Sequence, residues 1–321
     1  MSFKVEIQPS KVTFSTENML LDDAISQNVI LEHSCKNGVC GACKAKLLKG
    51  LVENEHGQTV DSGEILTCCS IAKSDVVLEV EYHPELAQVK VQTIPCKLTE
   101  FHYATEDIIV LTLRYPPSVN FVFLPGQYVD LSFQGIVRSY SIASADGENK
   151  QIELHIRKVP EGKMSNLLFG SVSKEQLMRI EGPKGTFFVR ENTKKLLFVA
   201  TGTGISSVKS MVKNLVQQYD EREIYIYWGM RTEDEIYEVE LKALSELHSN
   251  VFFCPLLSRD SVSDMRKGYV QNAVLEDFKT FEDVEVYACG SMKMIEDAKV
   301  KFLEKGLLLS AFHSDAYTPA K

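Results

Sequence analysis

The sequence lacks any long hydrophobic run, any leader-like start and any excess of positive charge. No stretch in its 321 residues approaches the roughly 20 apolar residues that a membrane-spanning helix needs. Residues 1–10 alternate charged and apolar side chains, without the apolar core that is typical of a secretory signal peptide. The net charge of −9 argues against a protein that binds the phosphate backbone of nucleic acids. We therefore expect a soluble protein of the cytoplasm.

Internal repeats and low-complexity segments are also absent, and the composition is otherwise ordinary. Hydrophobic residues make up 44% of the chain and charged residues 25%, which provides enough apolar side chains for several cores. This balance excludes disordered tails, collagen-like fibres and small disulfide scaffolds. The length predicts two or three domains.

Three regimes of hydrophobic patterning divide the chain. Residues 1–88 contain short alternating stretches around one helical pattern, which predicts a small α+β domain. Residues 85–93 have little periodicity and are interpreted as a linker. Residues 95–191 repeat with period two between Gly and Pro turns, which is typical of an all-β barrel or sandwich. Residues 192–321 alternate buried strands with amphipathic helices, which indicates an α/β domain with a doubly wound parallel sheet.

The elements expected in these regimes are short. In the first regime the strands are 3–7 and 76–80, with a helix at 20–25. In the second regime the strands are 108–113, 128–131, 140–143 and 152–156. In the third regime the strands are 196–200, 224–228, 251–257 and 284–288.

Eight cysteines are present, and five of them lie in the first quarter of the chain: Cys35, Cys40, Cys43, Cys68 and Cys69. In a reducing compartment such a cluster favours metal binding over disulfides. The spacing Cys-x4-Cys-x2-Cys, with a fourth cysteine twenty-odd residues later, is typical of a plant-type [2Fe–2S] centre held by four thiolates. A structural zinc site is the alternative, although zinc usually takes two Cys-x2-Cys pairs.

Two glycines and one histidine accompany these cysteines. Gly38 and Gly41 lie inside the loop, where the missing Cβ lets backbone N–H groups turn toward the sulfurs. His33 stands two residues before Cys35, but a Rieske centre needs two histidines on one iron. We therefore interpret His33 as an ordinary surface or shell residue.

A polar motif on one expected barrel strand points to a flavin. Residues 138–141 read Arg-Ser-Tyr-Ser and residues 125–128 read Pro-Gly-Gln-Tyr. Together they resemble the ferredoxin–NADP reductase family, in which Arg-x-Tyr-Ser binds a flavin. The resemblance implies that Arg138 holds the pyrophosphate, that Tyr140 lies against the isoalloxazine ring and that Ser141 is a catalytic residue at a ring nitrogen.

Two glycine-containing segments are candidates for binding phosphates. Gly162 and Ser165 stand at the start of an expected helix, where backbone N–H groups favour a phosphate. The turn Gly202-Thr203-Gly204 lies between a buried strand and an amphipathic helix. Its glycines permit close approach of a dinucleotide to the backbone.

Four further positions are compared with the family pattern. Cys289 and Gly290 end an expected strand and resemble the family's Cys-Gly-Pro corner, which implies that Cys289 is a catalytic residue beside the nicotinamide. A buried structural cysteine is the alternative. Tyr317 resembles the terminal aromatic residue that covers the flavin ring, and a frayed surface position is the alternative. Ser207 replaces the proline that often follows the glycine turn, which leaves the stiffness of that turn open.

Ser258, Arg259, Lys267 and Tyr269 form another candidate site. In plant-type members of the family, a Ser-Arg pair followed by Lys-x-Tyr holds the adenosine 2′-phosphate. The resemblance implies that NADPH can bind here. A solvated basic loop is the alternative, and the preference between NADH and NADPH stays open.

The order of the domains makes the resemblance more specific. A ferredoxin-like β-grasp domain, a Greek-key antiparallel FAD-binding barrel and an NAD(P)-binding α/β domain resemble the reductases of multicomponent oxygenases. Longer segments, including residues 95–98 and 185–190, are similar to the CDP-6-deoxy-Δ3,4-glucoseen reductases, and this similarity covers essentially the whole chain. Residues 66–68 resemble the end of the plant ferredoxin motif, which favours Cys68 over Cys69 as the fourth ligand.

The resemblance implies an NAD(P)H-dependent oxidoreductase with FAD and a [2Fe–2S] cluster. Its acceptor would be a pyridoxamine-phosphate (PMP)-dependent nucleotide-sugar 3-dehydrase, in the synthesis of 3,6-dideoxyhexoses for O-antigen lipopolysaccharide. An oxygenase reductase is one alternative, and a cluster-bearing redox sensor without a turnover partner is another. The first 90 residues carry 13 acidic and 8 basic side chains, which weakly predicts a basic docking patch on the partner. No nucleic-acid or membrane partner is expected.

Overall fold

The chain divides into two units by its internal contacts, Met1–Lys90 and Val91–Lys321. The computed structural model describes residues 2–33, 36–39, 41–145 and 149–317. Within these ranges, no helix is long and apolar enough to cross a membrane.

The first unit combines a five-stranded mixed sheet with one helix. Its elements are β1 (Phe3–Gln8), β2 (Thr13–Thr16), α1 (Leu20–Ser26), β3 (Lys44–Lys49), β4 (Val52–Glu53), β5 (Thr59–Val60), β6 (Gly63–Leu66), β7 (Ile71–Ala72) and β8 (Val76–Glu79). The main sheet has the order β2-β1-β8-β3-β6, and a small second sheet has the order β5-β4-β7. Strand alternation buries Val5, Ile7 and Leu78 in one core with Leu20 and Leu21 of α1. This confirms the predicted α+β architecture.

The second unit begins with six antiparallel strands. They are β9 (Gln92–Tyr103), β10 (Ile108–Arg114), β11 (Tyr128–Phe133), β12 (Ile136–Ser141), β13 (Gln151–Arg157) and β14 (Leu177–Lys184), with α2 (Lys163–Ser171) between the last two. The order is β12-β11-β14-β9-β10-β13. An antiparallel bridge between Ile142 and Leu154 joins the two outer strands, so the sheet closes on itself around an apolar core. The predicted barrel is confirmed.

A five-stranded parallel sheet completes the second unit. Its elements are β15 (Lys195–Thr201), α3 (Ile205–Gln217), β16 (Ile224–Met230), α4 (Glu240–Leu247), β17 (Val251–Leu257), α5 (Val270–Asp277), β18 (Val284–Ser291), α6 (Met292–Glu304) and β19 (Phe312–Tyr317). The order is β17-β16-β15-β18-β19. Two apolar clusters cover its faces, and the helices lie over them. This confirms the predicted doubly wound sheet.

Local boundaries differ from the expectations in three places. Residues 85–93, expected to be a linker, contain most of a 3-10 helix (Pro84–Gln88) and the first residues of β9. The barrel strand expected at 140–143 begins at Ile136 and ends at Ser141. Strands β9, β14 and β19 carry more polar side chains and turn residues than their neighbours, and the pattern did not indicate them.

Candidate functional site

The cysteine site of the first unit is built at the end of the β3–β6 pair. Cys43 immediately precedes β3, and Cys68 lies in a 3-10 turn that follows β6. Both the backbone N–H and the hydroxyl of Thr67 donate to the Cys43 carbonyl, at 3.0 and 3.1 Å. These bonds bring the Cys43 and Cys68 sulfurs to 3.0 Å from each other. Cys35 and Cys40, the other two predicted ligands, lie outside the described residues.

The surroundings of Cys68 suit a metal-bound thiolate. Burial, followed by the neighbouring Cys43 thiol, raises the pKa of Cys68 to about 11. The Gly38 backbone hydrogen bonds to the Cys68 sulfur and acts in the opposite direction. Gly38 has φ +81°, and a Cβ there would lie 3.0 Å from the Cys69 sulfur, so the loop needs glycine at this position. The Cys68 thiol is therefore protonated without a metal, and binding an iron centre must displace its proton.

Cys69 and His33 border this site. The Cys69 sulfur lies 3.6 Å from that of Cys68, and Cys69 is partly exposed, whereas Cys43 and Cys68 are buried. His33 is only 6% exposed and its Nδ1 lies 2.8 Å from the Leu31 carbonyl oxygen. His33 is thus a buried residue and not a surface residue.

A second site forms in the other unit, where four predicted residues meet. The Tyr317 hydroxyl lies 3.4 Å from Ser141 Oγ and donates to the Thr203 carbonyl at 3.0 Å. It also hydrogen bonds to the Cys289 thiol. Ser141 ends β12 of the barrel, Thr203 follows β15, Cys289 lies in β18, and Tyr317 ends β19. Motifs that are up to 176 residues apart in sequence therefore converge on one hydroxyl.

Close backbone packing holds the parallel-sheet side of this site. A Cβ on Gly204 would lie 2.5 Å from the Cys289 carbonyl oxygen. Gly290 has φ +127°, and a Cβ there would lie 2.4 Å from Thr201 Oγ1. The glycine turn after β15 and the corner after Cys289 thus touch through their backbones. The turn itself stays open on its outer side, because a Cβ on Gly202 would meet as its nearest atom Arg157 Nη1 at 3.8 Å. That open side leaves room for a phosphate to approach the backbone.

The Cys289 thiol is fully buried. Burial is the main cause that raises the pKa of Cys289 above its ordinary value, so the group is a neutral thiol. Ser207, which stands where the family often has proline, lies with its Oγ 3.6 Å from the Cys289 sulfur. The departure from the family pattern therefore places a hydroxyl against the thiol.

The remaining flavin candidates lie on the barrel. Tyr140 packs against the barrel core, and burial raises its pKa to about 12. Arg138 donates from Nη1 to the Val137 carbonyl at 2.7 Å. Ser165 is buried in the first turn of α2, and its hydroxyl bonds to the Gly162 carbonyl at 3.1 Å. A Cβ on Gly162 would lie 2.7 Å from that hydroxyl, so glycine is required at the start of this helix.

The candidate 2′-phosphate residues lie in the loop between β17 and α5, where Ser258 and Lys267 each donate to a different backbone carbonyl. Ser258 Oγ donates to the Met230 carbonyl at 3.1 Å, and Lys267 Nζ donates to the Ser261 carbonyl at 2.8 Å. Tyr269 is 62% exposed and precedes α5. Arg259 is exposed. Backbone N–H groups of Ser263 and Val262 lower the pKa of Asp260 in the same loop, which adds a negative charge beside the basic residues.

A buried charge network lies near this second site, and the sequence patterns did not predict it. Lys209 of α3 lies between the carboxylates of Glu153, Glu238 and Glu240. The available signal was a lysine between Val208 and Met211, on a helix whose other inward positions are apolar or small. Helical periodicity alone treats such a lysine as a solvent-facing residue, because it does not show that the barrel covers this side of α3.

Three domain models match successive parts of the chain. A 2Fe-2S iron-sulfur cluster binding domain matches residues 5–73, an oxidoreductase FAD-binding domain matches residues 95–189, and an oxidoreductase NAD-binding domain matches residues 198–300. The predicted cofactors, a [2Fe–2S] cluster, FAD and a nicotinamide dinucleotide, are thereby confirmed. The chain is an oxidoreductase of the iron–sulfur flavoprotein type.

Full-length relatives share this domain order. The chain is 44% identical to the CDP-6-deoxy-L-threo-D-glycero-4-hexulose-3-dehydrase reductase of Yersinia pseudotuberculosis, and the match covers 100% of both chains. It is 45% identical to the protein RfbI of Salmonella typhimurium, over 99% of this chain and 97% of that protein. Among solved structures, the cytochrome P450 reductase GcoB of Amycolatopsis covers 99% of this chain with a TM-score of 0.79 and 23% identity, which shows the common fold.

Proposed function

The chain belongs to the family of CDP-6-deoxy-L-threo-D-glycero-4-hexulose-3-dehydrase reductases, and we propose that its electron acceptor is a PMP-dependent nucleotide-sugar 3-dehydrase. The acceptor would use the electrons to remove the C3 hydroxyl of a CDP-linked 4-keto-6-deoxyhexose, toward the 3,6-dideoxyhexoses of O-antigen lipopolysaccharide. The observation that carries this proposal is the 44% identity over the whole length of a relative that is named as the reductase of such a 3-dehydrase. NAD(P)H and thiolate-held iron both suit a reducing compartment, which supports a cytoplasmic location.

The residues divide into three working regions. We assign residues 1–88 to the cluster domain, 95–191 to the FAD domain and 192–321 to the NAD(P) domain. When bound, FAD and the cluster supply the redox chemistry, because a flavin accepts two electrons from NAD(P)H and the cluster accepts one at a time. The protein binds, orients and shields these groups.

The cluster ligands in this proposal are Cys35, Cys40, Cys43 and Cys68. The described pair, Cys43 and Cys68, fits a shared iron because both thiols are buried and close together at the end of two paired strands. Cys69 would remain a packed neighbour of the ligands, since it is the more exposed of the adjacent pair.

The convergence on Tyr317 supports a site where nicotinamide and flavin meet. Ser141 would hydrogen bond to the flavin ring, and Cys289 would lie beside the nicotinamide as a neutral thiol. Tyr317 would cover the flavin ring from the parallel-sheet side, held by its hydrogen bond to the Thr203 carbonyl. These three side chains come from three different strands, so binding both cofactors requires the barrel and the parallel sheet together.

Phosphates would be held around this point. Arg138 and the N-terminal turn of α2, at Gly162 and Ser165, would bind the flavin pyrophosphate. The turn from Gly202 to Gly204 would bind the dinucleotide of the nicotinamide cofactor, with Gly290 completing the corner. Tyr140 would lie against the isoalloxazine ring.

The residues in the loop after β17 would determine the specificity for NADH or NADPH. Arg259 and Lys267 would pair with a 2′-phosphate, while Ser258 and Tyr269 would flank the adenosine. The negative charge of the Asp260 carboxylate in the same loop disfavours the 2′-phosphate of NADPH. The balance between this carboxylate and the basic side chains would therefore set the preference between NADH and NADPH. A hundred-fold preference for NADH in steady-state kinetics would remove this part of the proposal.

A reconstituted reaction tests the proposed function. Anaerobic, cluster-loaded and flavin-loaded protein is mixed with NADH or NADPH, a purified 3-dehydrase and its CDP-hexulose substrate. We expect flavin and cluster absorbance to bleach on NAD(P)H addition and to recover only when dehydrase and sugar are both present. Recovery with an oxygenase component, and none with the dehydrase, would favour the oxygenase-reductase alternative. A protein that holds zinc and negligible iron would end both readings.

A further inference from the structure

Lys209 is a buried lysine that joins the barrel to the parallel sheet. The residue is only 4% exposed, and its Nζ donates to Glu153 Oε1 of β13 at 2.9 Å. On the other side, Nζ lies 3.4 Å from Glu238 Oε2 and 3.2 Å from Glu240 Oε1, beside α4. Burial opposes the charge, but the carboxylates of Glu238 and Glu153 outweigh it and raise the pKa of Lys209. The lysine therefore stays charged and holds acidic groups from barrel strand β13 and from the start of α4.

The next two residues of α3 also contact the barrel. Ser210 is fully buried, and its hydroxyl donates to the Ser144 carbonyl at 2.6 Å, three residues after Ser141. Met211 packs so closely on the turn before β11 that a Cβ on Gly126 would lie 3.2 Å from its sulfur. Three successive helical residues span more than half of the helix circumference. Helix α3 thus contacts the barrel as well as the parallel sheet.

A second chain of contacts runs from the same carboxylate to the glycine turn. Glu153 Oε1 lies 2.8 Å from His155 Nε2, and His155 Nδ1 lies 3.0 Å from the Tyr237 hydroxyl. The Tyr237 ring packs edge-on against Trp228 at 5.4 Å between ring centroids. Trp228 Nε1 donates to the Gly202 carbonyl at 2.9 Å. Glu153 is therefore linked to both ends of the β15–α3 connection, through Lys209 and through Trp228.

We propose that Lys209 is a positioning residue for flavin reduction, because it fixes α3 and the glycine turn before it against barrel strand β13, where the Glu153 carbonyl accepts from the Ala143 N–H two residues after Ser141. The inference rests on the proposed function, since it concerns the approach of nicotinamide to flavin. Gly204 leads directly into α3 and touches the Cys289 backbone. A shift of α3 relative to the barrel therefore moves Thr203 and Cys289 away from Ser141. Small displacements of this kind cost large factors in rate, because reacting groups must be held at close range.

The test compares two lysines of one helix. Lys209→Met removes the buried cation, and Lys213→Met, one turn later on the same helix face, removes a more exposed lysine that pairs with Glu240 at 3.2 Å. Holoprotein is mixed with saturating NADH or NADPH in a stopped-flow instrument, and the rate of flavin reduction is recorded. The dissociation constant of the same nicotinamide cofactor is measured in parallel. We expect Lys209→Met to slow flavin reduction by about tenfold or more, with the dissociation constant within about threefold of wild type. Lys213→Met should match wild type in both.

Tryptophan fluorescence supplies a readout that does not depend on turnover. Trp228 is the only tryptophan in the sequence and is fully buried. In Lys209→Met we expect increased quenching of its emission by acrylamide, and in Lys213→Met no change. Wild-type rates of flavin reduction in Lys209→Met, or an equal loss in Lys213→Met, would overturn the inference.

Two further variants test the proposal if Lys209→Met does not fold. Glu153→Gln/Lys209→Met removes both charges and leaves no unpaired Glu153 carboxylate, and Ser210→Ala removes only the 2.6 Å hydrogen bond to the barrel. Both should slow flavin reduction with retained flavin, and wild-type rates in both would refute the positioning role. If wild-type flavin is not reduced by NAD(P)H at all, the proposed function fails instead.

Discussion

Replacing Gly204 by alanine tests the backbone packing that holds the parallel-sheet side of the candidate site. The added Cβ would lie 2.5 Å from the Cys289 carbonyl oxygen, 2.8 Å from its carbonyl carbon and 3.0 Å from the Gly290 nitrogen. Contacts below 3.0 Å are essentially never seen for a Cβ, so one backbone segment must move by about 0.5 Å. Gly204 has φ −58°, which any residue adopts, so the effect is purely steric.

The cost should lie at the upper end of the range for overpacking. Both atoms in conflict belong to backbone, which cannot change rotamer, so we expect a loss of about 3 kcal/mol in the free energy of unfolding. For a unit of this size that loss lowers the midpoint of thermal flavin release by about 6–12 °C. Because Cys289 moves with its backbone, flavin reduction by NAD(P)H should slow by about tenfold or more.

Gly170→Ala is the matched control. Gly170 lies in α2, and an added Cβ meets nothing within 4 Å. Alanine is better than glycine in a helix by about 0.5–1 kcal/mol, so this variant should be slightly more stable than wild type with normal kinetics. A Gly204→Ala protein with wild-type melting and wild-type flavin reduction would refute the close packing of the glycine turn against Cys289.

Three other outcomes can be measured independently. Cys68→Ser should lose the cluster absorbance and iron, whereas Cys69→Ser should retain both, and the opposite result would exchange their roles. Burial would raise the pKa of Glu285, but the bond from His313 at 2.6 Å and nearby charges lower it. The stability that Glu285 contributes is present above its ordinary pKa of 4.5 and is lost as the pH falls through its lowered value. Urea titrations should therefore show a difference between wild type and Glu285→Gln that shrinks below about pH 4.5. Arg259→Ala should raise the KM for NADPH by up to about fivefold with that for NADH unchanged, and equal effects on the two would contradict a 2′-phosphate contact.

The architecture followed from hydrophobic periodicity because the relevant strands are strongly patterned. The apolar runs at Leu196–Ala200 and Ile108–Leu113 lie in buried strands, and the helix with Val208 and Met211 lies where its spacing placed it. β14 was not indicated because it ends in Glu-Gly-Pro-Lys, which reads as a turn. Its pairing with β9 and β11 decides its conformation, and such pairing is a tertiary property.

The site was predictable to the extent that motifs are local. The family motifs placed Ser141, Thr203 and Cys289 on separate segments, but their meeting at the Tyr317 hydroxyl depends on strand order. The contacts of Lys209 could not be predicted from any local motif. Its partners Glu153, in barrel strand β13, and Glu238, in the loop before α4, lie 56 and 29 residues away, and no local pattern relates the three.

The close approach of the Cys43 and Cys68 sulfurs also affects how readily the apoprotein is oxidised by air. Two thiols at 3.0 Å are well placed to form a disulfide, which would block iron insertion. Only the thiolate attacks in such oxidation, and with the pKa of Cys68 at about 11 that form is scarce at neutral pH. The same burial that raises the pKa of Cys68 should therefore slow the attack of its sulfur in disulfide formation.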